Sequence, residues 1–234
     1  MDRNTKPDDS GMPSWLLWVA GSLLGAVLVL LPVFMLGKGY LFGQEPRFAI
    51  CLVVLMLWVL CDLAASPSNI DPNKNVKLVH ANGDSFTYVS GVLILCGVWL
   101  NVCDLAMHGG GSLGPTMPSV GVAIAVAGLW LRYQAIATLG KYFTTKLLIC
   151  FDQPLVSTGV YRLIRHPSYS GLLLITFGFN FIFETVVGLV YFLLVIVPLV
   201  LFRISREEKL LYEGFGDAFL EYKKNSWRLV PFFF

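Results

Sequence analysis

Long, nearly uncharged apolar runs follow one another along this 234-residue chain, and they constrain the fold more than any other feature. Hydrophobic residues make up 56% of the sequence and charged residues 14%, whereas soluble domains carry about 25% charged residues. A helix needs about 20 apolar residues to cross a bilayer, and the sequence lacks the alternating segments of membrane β-barrels. It therefore predicts an all-α integral membrane protein with about six transmembrane helices. We place these helices at Trp15–Leu36, Phe48–Ala65, Tyr88–Met107, Val120–Leu139, Tyr169–Phe183 and Val186–Phe202.

Basic residues are distributed unevenly between the two sets of connections. The only basic residues in the connections 38–47, 109–119 and 184–185 are Lys38 and Arg47. By the positive-inside rule the opposite side, with both termini, faces the cytoplasm, in a bacterial inner membrane or the endoplasmic reticulum. That side carries Arg3, Lys6, Lys74, Lys77, Lys141, Lys146, Arg162, Arg165 and the six basic residues from Arg203 to Arg228.

The two halves of the chain differ in character. Residues 1–119 are predicted to form a transmembrane scaffold, and residues 120–234 a catalytic region that includes the loop 140–168. Within the scaffold, residues 66–85 are rich in Pro, Asn, Asp and Gly and predict a turn-rich surface connection. Residues 109–119 predict a flexible linker. The five cysteines form no CxxC pair, so the sequence supports neither a disulfide framework nor a metal site.

Several polar residues fall inside the predicted spans. Asn101, Asp104 and His108 share one helical face, and ionisable residues in a span are functional candidates by default. The alternative is that Asp104 and His108 lie at the outer interface, solvated or paired. Asp62 is expected to face the headgroups at the inner end of its span. Arg132 either snorkels to the surface or lines a cavity shared with the later polar segments.

The first polar segment, residues 141–168, reads KYFTTKLLICFDQPLVSTGVYRLIRHPS. Pro167 lacks an amide donor and disfavours helical geometry at His166. A helix therefore begins here, and its free amides suit an anionic group such as a carboxylate. The alternative is a basic surface loop whose arginines bind phospholipid headgroups.

The second polar segment, residues 203–224, reads RISREEKLLYEGFGDAFLEYKK. Glu207 and Glu208 are either solvated charges or partners of a cationic ligand held against the first segment. We predict that the two segments fold into one pocket, open to water and lipid, with His166 near Glu207. An apolar stripe predicts a C-terminal helix lying along the membrane interface; it comprises Leu210, Leu211, Phe215, Phe219 and Tyr222.

Together these motifs resemble the isoprenylcysteine carboxyl methyltransferases and, more broadly, the superfamily that includes membrane phospholipid methyltransferases. The resemblance covers about residues 130–231. It is carried by LVSTGVY at 155–161, RHPSYSG at 165–171, REEKLLYEGFGDAFLEYKK at 206–224 and RLVP at 228–231.

The resemblance implies S-adenosylmethionine as methyl donor, held by the cytoplasmic loop and the C-terminal helix. Glu207 matches the residue that holds the donor's ammonium, and Arg203 matches the arginine that engages the substrate. The chain departs from the family at Gln153, where His is frequent, and in having only two acidic residues in its acidic run; Lys146 aligns ambiguously. The remaining donor contacts fall on Gln153, Pro154, Leu155, Val156, Tyr161, His166, Pro167, Ser168 and Tyr169.

Several acceptors fit the resemblance. A prenylated-cysteine carboxylate is favoured over a phospholipid amine because Arg203 suits an acid, and Arg203, Tyr169 and His166 are the predicted catalytic residues. A carboxylate is already ionised at neutral pH, whereas an amine must first lose a proton, with which His166 or Tyr169 would assist. The partner is then a lipid or lipidated acceptor from the bilayer, not a nucleic acid. An NADPH-dependent sterol-type reductase and a non-enzymatic lipid-binding membrane protein stay as further alternatives.

Overall fold

The computed structural model describes most of the chain after residue 45 and is mainly helical. The first predicted span, Trp15–Leu36, lies outside the described residues. The helices are α1 (Pro46–Ala65), α2 (Gly83–His108), α3 (Met117–Leu139), α4 (Pro167–Ile182), α5 (Val186–Phe215) and α6 (Asp217–Lys224), and the strands are β1 (Val76–Val79) and β2 (Leu148–Cys150). The described residues are 46–65, 76–79, 83–108, 113–114, 116–144, 147–150 and 152–232.

Five described helices coincide with the second to sixth predicted spans. Among the described residues, Met117–Tyr142 and Val186–Phe215 are long and apolar enough to cross a membrane, by length and composition. Shorter apolar helices occupy Ala49–Asp62, Val89–Leu105 and Pro167–Ile182. Large apolar side chains stay exposed on these helices, for example Leu194 on α5 at 71%. Such surface suits lipid contact, and the count of six spans stays a prediction.

Helix α5, which corresponds to the sixth predicted span, is longer than predicted. It was expected to end at Phe202, but it continues through the second polar segment to Phe215 and ends at Gly216, whose φ is 55°. Residues Phe192–Ile196 form a π-helical turn within it. One rigid helix therefore carries both the apolar span and the acidic pair.

The prediction of a purely helical fold was wrong in one detail. β1 pairs antiparallel with β2, and β1 lies in the connection 66–85 that was predicted to hold only turns. Ile149 of β2 and the preceding Leu147 are buried together with Leu210, which lies on α5. Leu210 and Phe219 are each 2% exposed, so these members of the predicted interfacial stripe pack against the protein instead.

A buried polar cluster joins α2 to the turn between α4 and α5. The amide of Asn101 donates to Asn180 Oδ1 at 3.1 Å, and the Thr185 hydroxyl donates to Asn101 Oδ1. Buried polar groups are tolerated when they are hydrogen-bonded in this way. Asn101 therefore has a structural explanation, whereas Asp104 is only half-buried and the His108 side chain lies outside the described part of the chain.

Helices α3 and α4 approach closely through facing glycines. A Cβ added at Gly121 would lie 2.7 Å from Gly178 O, and one added at Gly128 would lie 2.7 Å from Gly171 O. Small residues allow membrane helices to pack backbone against backbone. Seven-residue spacing in both helices places the two glycine pairs on one face, and this contact holds the start of α4 beside α3.

We expect Gly171→Ala to destabilise the fold, because its Cβ would meet Gly128 O at 2.6 Å and the Arg132 backbone nitrogen at 2.9 Å. Overpacking costs about 1–3 kcal/mol, which corresponds to roughly 2–4 °C in Tm per kcal/mol for a chain of this size. Thermal unfolding in detergent measures the effect. The matched control is Gly91→Ala, whose Cβ meets nothing within 4 Å; equal Tm values for the two variants would contradict the close approach.

Candidate active site

The site begins where α4 starts. Pro167 occupies the first helical position, and His166 precedes it with φ −124° and ψ 57°, outside helical geometry. The amides of Tyr169 and Ser170 both donate to the His166 carbonyl oxygen, at 3.1 Å. The prediction that Pro167 turns His166 out of helical geometry is confirmed, and the helix, which was expected to begin at Ser168 or Tyr169, begins at Pro167.

The two polar segments meet at Glu207. Tyr169 Oη donates to Glu207 Oε2 at 2.7 Å and accepts from Arg203 Nε at 3.3 Å. His166 Nδ1 lies 3.7 Å from Glu207 Oε1. The predicted juxtaposition of His166 with Glu207 is therefore confirmed, and Tyr169 links Glu207 to Arg203.

His166 is buried between two carboxylates. Its Nδ1 faces Glu207, and its Nε2 lies 3.4 Å from Glu208 Oε1. Burial lowers the pKa of His166, but the hydrogen bonds and charges of both glutamates outweigh burial and raise the pKa above its usual value. A protonated imidazole carries N–H on both ring nitrogens, which matches one carboxylate on each side.

Glu208 is the charge centre on the other side of His166. Its side chain is 9% exposed and lies 3.1 Å from Lys223 Nζ, 3.3 Å from Arg228 Nε and 3.4 Å from Arg165 Nε. A buried carboxylate is costly unless cations pair with it. Sequence reasoning weighed Glu208 as a solvated charge or as the partner of a cationic ligand, and not as the counter-charge of the protein's own basic residues. The signal for that role was the surplus of basic residues in both segments, which needs a buried counter-charge.

The C-terminal segment after α6 holds the loop in place. Arg165 N donates to Trp227 O at 2.7 Å, and His166 N donates to Arg228 O at 3.2 Å. The Ser170 hydroxyl donates to Leu229 O at 2.7 Å. The RLVP motif therefore acts as a backbone partner for the residues on either side of Pro167.

Tyr161 lies on the inner side of the same loop. It is 7% exposed, and its carbonyl oxygen accepts from Tyr222 Oη at 2.7 Å. Burial and the negative charge of Glu207 raise the pKa of Tyr161 well above its usual value. Tyr161 therefore faces the same electrostatic environment as the His166–Glu207 pair.

The other predicted donor contacts lie further along the loop. Gln153 Oε1 accepts from the Cys150 amide at 3.1 Å; Pro154 is exposed, while Leu155 and Val156 are half-buried. Within the described residues, these four make no hydrogen bond or ion pair to the Glu207 cluster. Their role as donor contacts stays a prediction, and Lys146 lies outside the described residues.

Arg132 reaches the site from α3. It is 7% exposed, bonds to the Asp62 carboxylate and donates to Ser168. It therefore does not snorkel, and the expectation that Asp62 faces the headgroups was wrong because Asp62 is the partner that this buried cation requires. Of the described residues, no group of three or more His, Cys, Asp or Glu is placed to hold a metal ion.

The arrangement suits a ligand that carries both charge signs. Glu207 keeps 30% side-chain exposure although one of its oxygens accepts from Tyr169, so the carboxylate stays accessible to a cationic group. Arg203 Nε donates to Tyr169 Oη, and Tyr169 Oη donates to Glu207, so Tyr169 connects the guanidinium to the carboxylate. A cation and an anion can therefore be bound next to each other, at the boundary between an apolar helix and a polar loop.

Comparisons with known proteins agree on one family. Residues 121–213 match the model of the isoprenylcysteine carboxyl methyltransferase family. The chain is similar to protein-S-isoprenylcysteine O-methyltransferase A of Arabidopsis thaliana, with 37% identity over 114 residues, which is 48% of this chain and 58% of the relative. It is also similar to the Saccharomyces cerevisiae protein-S-isoprenylcysteine O-methyltransferase, with 34% identity over 115 residues, 48% of each chain. The chain thus spans about half the length of these curated relatives.

A solved structure shares the fold. It is the eukaryotic intramembrane Ras methyltransferase, isoprenylcysteine carboxyl methyltransferase, with a TM-score of 0.53 and 21% identity over 91% of this chain and 75% of that chain. The matched residues 121–213 contain most of α3, all of α4 and most of α5, and with them His166, Tyr169, Arg203 and Glu207. Through these residues the chain is similar to the isoprenylcysteine carboxyl methyltransferase family.

Proposed function

We propose that this chain is a multi-pass membrane methyltransferase that uses S-adenosylmethionine to methylate the C-terminal carboxylate of an isoprenylcysteine. The observation that carries the proposal is the hydrogen-bonded and charge-paired network His166–Glu207–Tyr169–Arg203, assembled from both polar segments. It lies within the family-matched residues. We further propose six spans with both termini cytoplasmic, in the endoplasmic reticulum or a bacterial inner membrane, as the basic residues suggest.

The residues of the network fit a sulfonium donor and an acidic acceptor. S-adenosylmethionine supplies a methyl group on a positively charged sulfur, and its transfer to a carboxylate converts a cation and an anion into neutral groups. Glu207 is accessible to the donor's ammonium, and charge-assisted hydrogen bonds to carboxylates are about twice as strong as neutral ones. Tyr161, His166, Pro167, Ser168 and Tyr169 would line the donor's position on the α4 side, with Gln153, Pro154, Leu155 and Val156 along the loop.

Arg203 is the residue best suited to position the acceptor. Its planar guanidinium matches a carboxylate in two-point geometry, and its Nε–H is fixed on Tyr169 Oη. A carboxylate acceptor is already ionised at neutral pH, so these residues need only orient it and exclude water. Orientation alone can supply several kcal/mol of rate acceleration.

Binding measurements on detergent-solubilised protein test the proposal. Calorimetry with S-adenosylhomocysteine is expected to show saturable binding, and radiolabelled donor is expected to label a prenylcysteine substrate. Binding of NADPH alone would instead indicate a sterol-type reductase. Binding of neither ligand would favour a lipid-binding protein, and label in a phospholipid would identify an amine acceptor.

We expect Glu207→Gln to weaken S-adenosylhomocysteine binding by about tenfold or more, because a neutral amide cannot pair with the ligand's ammonium and charged hydrogen bonds contribute about 1.5–3 kcal/mol. Calorimetry measures the affinity, and Tm should change by only a few degrees because the amide still accepts from Tyr169. Glu213→Gln is the matched control, since Glu213 lies on the same helix, 42% exposed. An unchanged affinity in Glu207→Gln would remove Glu207 from the donor site.

We expect Arg203→Lys to raise the acceptor KM or lower kcat by about tenfold or more, because one ammonium cannot replace the two-point guanidinium. Affinity for S-adenosylhomocysteine should stay near that of the unchanged protein. Arg206→Lys provides the control one turn further along α5, where Arg206 lies over the Phe202 ring at 5.6 Å. Equal losses of donor and acceptor affinity in Arg203→Lys would argue against a specific role for Arg203 in holding the acceptor.

A further inference from the structure

A second ion pair lies behind the site and is not part of the Glu207 cluster. Arg132 on α3 donates through Nε to Asp62 Oδ1 at 2.9 Å and through Nη2 to Asp62 Oδ2 at 2.8 Å. Its remaining terminal nitrogen, Nη1, donates to Ser168 Oγ at 2.9 Å and to the Ser168 carbonyl oxygen at 3.1 Å. One guanidinium therefore joins the end of α1 to the first turn of α4.

The surroundings fix this guanidinium in place. The side chains of Arg132 and Asp62 are 8% and 15% exposed. The Trp58 indole donates to Asp62 Oδ2 at 3.0 Å, and the Trp58 ring lies 5.8 Å from the guanidinium carbon of Arg132. A fork-to-fork pair with a stacked aromatic ring holds its geometry more tightly than a single ion contact.

We propose that the Asp62–Arg132 pair is a positioning unit for Ser168 and thereby for donor binding. Ser168 lies between His166 and Tyr169, which contact Glu207 from either side. Because Ser168 Oγ accepts from Arg132, its own hydroxyl proton is directed to a different partner. Since the proposed function places the donor beside Ser168, this inference rests on that function.

The pair also gives the N-terminal half of the chain a part in the reaction. Asp62 lies on α1, outside the family-matched residues 121–213, whereas Arg132 and Ser168 lie within them. Arg132 holds Ser168 where α3 and α4 pack closely. Because Arg132 is buried, its charge requires an anionic partner. Helix α1 supplies this anion.

A double-mutant cycle tests the proposal. We expect Arg132→Lys to weaken S-adenosylhomocysteine binding about tenfold, because an ammonium on Asp62 cannot also hold Ser168 in the same geometry. Ser168→Ala is expected to give a similar loss, and the double variant should bind no more weakly than either single variant. The donor KM should rise while the acceptor KM stays unchanged.

Arg47→Lys is the matched control. Arg47 pairs with the buried Glu184 at 3.0 Å, at the opposite end of α4 from Ser168. This variant should lower Tm without changing the affinity for S-adenosylhomocysteine. If Arg132→Lys does not fold, Asp62→Asn with Ser168→Ala completes the same cycle.

The outcomes distinguish a failure of the positioning role from a failure of the proposed function. Undiminished S-adenosylhomocysteine binding in folded Arg132→Lys and Asp62→Asn would overturn the positioning role and leave the proposed function standing. Fully additive losses in the double variant would also overturn it, since Arg132 would then act independently of Ser168. A wild-type protein that binds no S-adenosylhomocysteine would overturn the proposed function and this inference with it.

Discussion

The site depends on the compensation of two adjacent carboxylates, of which Glu208 is buried and Glu207 is partly buried. Successive residues on a helix point about 100° apart, so Glu207 and Glu208 reach opposite sides of the His166 ring. Each carboxylate then acquires its own partners: Tyr169 for the first, and Lys223, Arg228 and Arg165 for the second. Without these partners the burial of the two carboxylates would be costly, and contact between α5 and the start of α4 would be unfavourable.

Helix packing makes this electrostatic contact possible. The facing glycine pairs of α3 and α4 bring their backbones together and so fix where α4 begins relative to Arg132. The C-terminal segment adds backbone hydrogen bonds on both sides of Pro167. The loop is thus held by α3, by α5 and by the segment after α6. A pre-organised site of this kind can bind charged ligands without first having to order its own side chains.

Much of the fold could be predicted because bilayer-spanning length and proline chemistry act locally. Apolar runs indicated the helices described after residue 45, and Pro167 indicated where α4 begins. Proximity of His166 to Glu207 followed from complementary chemistry in two segments that flank a helical hairpin. The family resemblance pointed to His166, Tyr169, Arg203 and Glu207, which the structure brings together, and their roles stay predictions.

The missed features depend on long-range pairing. The β1–β2 ladder joins segments about 70 residues apart in weakly patterned loops, and the Asp62–Arg132 pair joins residues of two different helices. The role of Glu208 as an internal counter-charge was missed because its cations come from three separate positions, none of which singles it out locally. Leu210 was assigned to the interface because its periodicity does not distinguish a lipid surface from a covering strand.

The π-helical turn at Phe192–Ile196 lies within the apolar part of α5 and precedes Arg203 and Glu207. Such a turn accommodates one extra residue, which advances every later side chain by about 100° around the axis. Arg203 and Glu207 lie four residues apart after the turn, so this rotation changes the direction of both side chains by the same angle and they stay on one face of the helix. The π-helical turn therefore sets the rotation of Arg203 and Glu207 about the helix axis relative to the apolar residues that precede the turn.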